Sequence, residues 1–276
     1  MDWLVYIFYG FISGLGQILP VSTGAHDYFL ELMTRFDTAQ PLMQLGIHLA
    51  ALFALCIFCR YRCAHVYREL RIASQPSRRR KRQPDMTAVL DGKIVLTILV
   101  PSAFGILFTS AAEKSCNALP TICILLLISG TVIYVPHYLA SGNLDSRHVT
   151  RAEAALFGIC AGFSAYPGIS RMGSLLSVGA LRGCSRSYML DIALLLLIPL
   201  MALLALMDLF ALLGAGFAGI TFVYFMKCFL CSAAAFGGAC LAVASIRFLS
   251  VNKGYTAFTY YNWGLAVFGF ILYLMI

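Results

Sequence analysis

The sequence predicts an all-α, polytopic membrane protein arranged as an inverted repeat, each half a re-entrant helical hairpin plus three spanning helices. Three observations predict it. The 276 residues are 61% hydrophobic and only 12% charged, with a mean hydropathy of +0.84, whereas soluble domains carry roughly 25% charged residues. Apolar runs of about 18 residues recur along the whole length, each long enough to cross ~30 Å of hydrocarbon. Two further oily stretches are broken midway by polar, proline and glycine residues, which lipid tolerates only where protein encloses the freed backbone groups.

Six runs read as complete crossings, at about 42–59, 93–109, 119–139, 188–213, 217–248 and 257–276. The interrupted stretches, at about 3–33 and 152–183, read as hairpins that enter and leave on one side. They resemble each other. "GFISGLGQILPVSTG" from Gly10 and "GICAGFSAYPGISRMG" from Gly158 each carry glycines four apart, then a proline, then a serine followed by glycine. Pro20 aligns with Pro167, and Ser22 with Ser170 after one inserted residue. Three crossings separate the hairpins, so their mouths face opposite sides of the membrane. This is the internal-repeat plan of many transporters. The chain is one membrane domain over 1–276, with repeat 1 at about 1–140 and repeat 2 at about 150–276.

Charge distribution sets an expected orientation. The net charge is +8, and "RYRCAHVYRELRIASQPSRRRKRQ" holds nine of the twenty basic residues. In a membrane chain such a stretch is first a cytoplasmic loop, here 60–92, and not a nucleic-acid surface. With that loop inside, Arg147, Arg151, Arg182, Arg186, Arg247 and Lys253 fall on the same side. Only Arg35 and Lys114 fall opposite. Both termini and the mouth of the first hairpin then face outward. The N-terminus "MDWLVYIFYG" has neither a basic flank nor a small-residue cleavage site, so no removable signal is expected. The pairs Cys56/Cys59 and Cys228/Cys231 lie in apolar runs without neighbouring ligands and read as packed thiols.

The chemistry concentrates at the two breaks. In "YPGISRMGS", Arg171 is a cation within an apolar region, a setting that demands an acid, a carbonyl or a bound anion as partner. Ser170, Gly173 and Ser174 surround it with small groups, and a helix starting here would aim its positive end at a phosphate. The first break, "GQILPVSTGAH", supplies the hydroxyls of Ser22 and Thr23, the flexible Gly24, and His26. Ser22, Thr23, His26, Ser170 and Arg171 are expected to converge on one cavity. His48, His65, His137 and His148 read as structural or interfacial.

Several stretches, in order along the chain, resemble the undecaprenyl-diphosphate phosphatase family of bacterial inner membranes. They are "LPVSTGAH", "MQLGIHLAALFALCIF", "PGISRMGS" with "RGCSR", and "LDIALLLLIP" running on to "ALMDLF". The resemblance implies an enzyme that removes the terminal phosphate of the C55 polyprenyl diphosphate carrier, leaving the monophosphate for cell-wall synthesis. It implies a multi-pass protein of the bacterial plasma membrane and a divalent metal, Mg²⁺ or Ca²⁺. A homodimer is compatible with it. By position it assigns Ser22 and Thr23 to a serine pair, His26 to a histidine, and Ser170 and Arg171 to phosphate binding. Asp191 and Asp208 fall on family acids.

The departures are chemical. The family's two glutamates on the first helix are replaced here by Ser13 and Gln17, which keep polarity for substrate contact but not charge. Two carboxylates at i and i+4 share a helix face and could grip a metal or accept a proton. Ala161 and Asn262 stand where a glutamine and an arginine are usual, and Thr23 where a serine is. Asp27 and Glu31, one to two turns later, are the available substitutes. The alternative reading is a non-hydrolytic binder or transporter of a polyprenyl phosphate.

Overall fold

The computed structural model describes residues 2–108, 118–138, 142–217, 220–252 and 254–275. Lys114 and Lys253, two of the charges used for orientation, lie outside the described residues. The helices are α1 (Asp2–Gly16), α2 (Thr23–Thr34), α3 (Pro41–Ser74), α4 (Met86–Leu107), α5 (Leu119–Tyr134), α6 (Arg151–Gly162), α7 (Arg171–Leu181), α8 (Arg186–Ala215), α9 (Phe222–Asn252) and α10 (Thr256–Met275). Among the described residues there is no strand beyond a single bridge between Leu144 and Cys184. Six helices (α3, α4, α5 with its 3-10 extension to Tyr138, α8, α9 and α10) are long and apolar enough to cross a membrane. The protein is a multi-pass, all-α membrane protein.

The two interrupted stretches fold as helix–break–helix. At 1.5 Å per residue, even the 15 residues of α1 rise only about 22 Å, short of ~30 Å of hydrocarbon. Each hairpin closes at its mouth. Tyr6 of α1 stacks edge-on against Phe36, just past α2, with ring centroids 4.9 Å apart. Glu153 near the start of α6 pairs with Arg182 at the end of α7.

The first mouth adjoins the start of α3, whereas the second meets the start of α4 through a bond from Arg147 Nη2 to Thr87 Oγ1 (3.1 Å). A backbone bond pair between Leu144 and the segment at Gly183–Ser185 ties Arg147's loop to the end of α7.

Small residues set the closest helix contacts. α1 lies on α9 with no room for a side chain at Gly10 or Gly14, where a Cβ would overlap the carbonyl oxygens of Cys231 and Ala235. Such small-residue faces let backbones approach where lipid gives no hydrophobic drive to association. α8 sits at the centre, with 61% of its apolar window buried against 22% for α10. Its leucines join buried residues of α3, α4 and α9 in the main core. Of the two cysteine pairs, all four are free thiols and only Cys56 is exposed.

The basic stretch differs from expectation. In place of a loop over 60–92, α3 continues to Ser74 and α4 begins at Met86. Arg, Leu, Ala and Glu are good helix formers, so the helix persists after its apolar run ends. The connecting residues are held by buried Glu69, which pairs with Arg82 and accepts from the backbone N–H of Asp85 (2.9 Å). Arg80 adds bonds to the carbonyls of Ala73 (2.6 Å) and Gln75 (2.9 Å) at the end of α3.

Candidate functional site

The two helix breaks meet. Ser22 caps α2, and its buried Oγ accepts from the N–H of Ala25 (3.3 Å) and from that of Gly168 in the other hairpin (2.8 Å). Gly24 abuts Pro167, where a Cβ on the glycine would lie 3.4 Å from the proline Cα. Gly168 has a φ of +107° and sits against Leu125 and the carbonyl of Ile122, so both conformation and space require glycine. Ser170 caps α7 by accepting from the N–H of Gly173 (3.0 Å), and its own N–H donates to Ser129 Oγ (3.1 Å). The paired Pro–Ser breaks are thus two capped helix starts locked together by Ser22.

Beside this joint lies a cavity of about 580 Å³. Gln17, Thr23, Ser164 and Arg171 line both it and a smaller recess behind it. Arg171 is the first residue of α7, and its Nε donates to Ser164 Oγ (3.0 Å). Among the described residues it has no ion-pair partner. A guanidinium without a carboxylate, at a helix N-terminus and facing a polar cavity, is built to receive an anion.

The rest of the lining carries acids and a histidine. Asp27 and Glu31 of α2 line the cavity, as do His48 of α3 and Asp208 of α8. His48 Nδ1 and Asp208 Oδ2 are 2.6 Å apart. Asp27 Oδ1 accepts from Tyr9 OH (3.0 Å), which accepts from Gln44 Nε2 (2.8 Å). Gln44 also donates to the carbonyl of Thr38 (2.7 Å), tying α1, α2 and α3 together under the cavity.

The geometry narrows the expected set. Thr23, Gln17 and Arg171 face the cavity. Ser22 and Ser170 do not, because their hydroxyls are used as caps and as the hairpin joint. Gly173 and Ser174 are buried, with Gly173 packed against Ile133. His26 turns the other way, with Nδ1 on the Ser22 carbonyl (2.5 Å) and Nε2 on Tyr261 OH (2.5 Å), its ring stacked on that tyrosine. Ser13 is buried beside Tyr9, so of the two positions one turn apart only Gln17 reaches the cavity. Asp191 is exposed toward the other end of α8. Asn262 is fully buried and donates to the carbonyl of Pro20 (3.3 Å), steadying the first break.

His48 was not foreseen in this setting. The available signal was a histidine and an aspartate inside two apolar spans, since ionisable groups there are functional candidates by default. Their pairing, 160 residues apart in sequence, was not readable.

The structure is that of a many-helix membrane protein with a polar cavity between two helix breaks, lined by an arginine that has no ion-pair partner among the described residues. The model of the family described as bacitracin resistance protein BacA matches residues 6–268, and the chain belongs to that family. Similar proteins include the undecaprenyl-diphosphatase of Thermosipho melanesiensis, 25% identical over 96% of this chain and 98% of the relative. That of Thermosipho africanus is 25% identical over 97% and 99%. That of Syntrophotalea carbinolica is 24% identical over 72% and 73%.

The divalent ion implied by the resemblance needs a set of donors. Among the described residues no three His, Cys, Asp or Glu side chains gather closely enough to hold one. At the positions of the missing glutamates, Ser13 is buried away and Gln17 offers a single amide oxygen. The described residues do not fit the ion.

Proposed function

We propose that the protein is a polyprenyl-diphosphate phosphatase, hydrolysing the terminal phosphate of a membrane lipid diphosphate of the undecaprenyl type to leave the monophosphate. Membership of the BacA family and the names of its relatives support the substrate class. The single observation that carries the chemistry is Arg171. It offers a positive charge without an ion-pair partner among the described residues, at the start of α7 in a cavity shared with Thr23.

In this reading the terminal phosphate lies between Arg171 and the Thr23 hydroxyl, with the Gln17 amide as a further donor. Arg171 offsets charge that grows on the phosphate oxygens as the bridging bond breaks. Ser22, Ser170 and His26 are positioning residues, fixing the two breaks from which Thr23 and Arg171 line one cavity.

The same proposal includes an inverted repeat, with α1–α5 related to α6–α10. Helix partners favour it: α1 packs on α9 as α6 packs on α4, while α3–α8 and α5–α10 pair across the two halves. The mouths of the hairpins lie at opposite ends of α3. The end that carries Arg62, Arg82, Arg147 and Arg182 is cytoplasmic, and the membrane is the bacterial plasma membrane.

The test is phosphate release by purified protein from a polyprenyl diphosphate in detergent micelles. The native protein should release phosphate. Arg171→Ala should lose at least about 10²-fold in kcat/KM, the scale of removing one charge-stabilising donor. Binding of the lipid without any release by the native protein would overturn the phosphatase reading.

A further inference from the structure

We infer that His48 and Asp208 form the general-base dyad of this site, taking the role left open where Ser13 and Gln17 replace a carboxylate pair. The inference rests on the phosphatase reading.

The two residues come from different helices, α3 and α8, and both line the cavity that Arg171 and Thr23 line. His48 Nδ1 lies 2.6 Å from Asp208 Oδ2, with side-chain exposures of 9% and 20%. A neutral imidazole that donates Nδ1–H to a carboxylate leaves Nε2 with its lone pair. Nε2 has no partner among the described residues. Histidine, oriented by an acid and free at its second nitrogen, is the arrangement by which enzymes accept a proton from a nucleophile.

No other group on these walls is as well placed. Asp27 is engaged with Tyr9. Glu31 is exposed, and among the described residues no side-chain hydrogen bond or ion pair orients it. His26 is held at both nitrogens, by Ser22 and Tyr261, and does not line the cavity. Thr23 is a weak base and Arg171 a permanent cation.

The step balances as a hydrolysis. A water oxygen forms a bond to the terminal phosphorus while the bridging P–O bond breaks. The electron pair of that bond stays on the oxygen of the lipid monophosphate. One proton of the water passes to His48 Nε2, and the imidazolium is held by Asp208 until it returns the proton to solvent. The products are the lipid monophosphate and inorganic phosphate. Asp208 acts through His48 and is the positioning residue.

The experiment measures steady-state phosphate release from a polyprenyl diphosphate by the full-length protein in detergent, with lipid binding and thermal midpoint followed in parallel. His48→Ala should lower kcat by about 10²- to 10⁴-fold with KM little changed. Added imidazole should restore part of the rate, and substituted imidazoles should do so in the order of their basicity. Asp208→Asn should lower kcat, whereas Asp208→Glu should retain most of it.

If His48→Ala does not fold, His48→Gln carries the test, since an amide of similar size keeps packing but accepts no proton. An active native protein with a fully active His48→Gln variant overturns the dyad and leaves the phosphatase reading standing. An inactive native protein removes both.

Discussion

At the residue scale, the exchange of two glutamates for Ser13 and Gln17 has unequal consequences. Ser13 is 5% exposed beside Tyr9, so a glutamate there would bury a charge without a partner. Gln17 lies on the cavity wall near Arg171. Gln17→Glu should therefore fold normally, bring metal sensitivity to phosphate release, and weaken metal-free binding of the lipid diphosphate. A carboxylate ~6 Å from a phosphate repels it by about 3 kcal/mol at an effective dielectric near 20, an upper limit of roughly 10²-fold in affinity. Calorimetry of lipid binding with and without Mg²⁺ checks this, and an unchanged affinity in both conditions would mean that position 17 does not face the phosphate. Thr23, Gln17 and Arg171, each at a helix break, line the cavity. The side chains of His26, Ser22 and Ser170 are engaged within the breaks themselves, since a polar side chain at a break is as readily used to cap a helix as to bind a ligand.

At the element scale, the second hairpin is held at its mouth by a capping box. Thr150 Oγ1 accepts from the Glu153 N–H (3.3 Å), and Glu153 accepts in return from the Thr150 N–H (2.8 Å) while pairing with Arg182. The Thr150 N–H, the Arg182 side chain and the Thr150 hydroxyl hold the Glu153 carboxyl down from 4.5 to about 2. A depressed carboxylate contributes stability that is present above pH 4.5 and is lost as pH falls toward about 2. Glu153→Gln should thus lower the thermal midpoint at neutral pH, with the difference from the native protein shrinking across that window. Scans in detergent from pH 7 downward test it; a difference constant through pH 3 would show that the charge of Glu153 does not hold the mouth. The capping pattern "TRAE" is visible in the sequence. The partner across the hairpin is not, because Arg182 arrives only when α7 returns.

At the scale of the whole molecule, hydropathy and punctuation were enough to find six long apolar helices and two interrupted stretches, because lipid forces backbone groups to be satisfied within each element. They did not reveal how far α3 extends, since a helix outside lipid is limited by capping and propensity and no longer by apolar length. The proposed orientation rests on charge. Arg62 pairs with Asp91 at 2.6 Å, Arg82 with Glu69, and Arg182 with Glu153, so acids of the same end meet many of these cations. The exposed Arg78 and Arg79, in the 3-10 turn between α3 and α4, have no such acid among the described residues. Arg35 is exposed at the far end of the first hairpin, with a left-handed backbone at φ 56°. These positions give a test that needs no mutation. In sealed inverted vesicles, trypsin should cut first within 78–82, whereas in right-side-out vesicles that segment should be protected and Arg35 open to cleavage. Mass spectrometry of the fragments reads the outcome. Cleavage within 78–82 from the outer face would reverse the assignment of sides, placing the mouth of the first hairpin, and the cavity behind it, toward the cytoplasm.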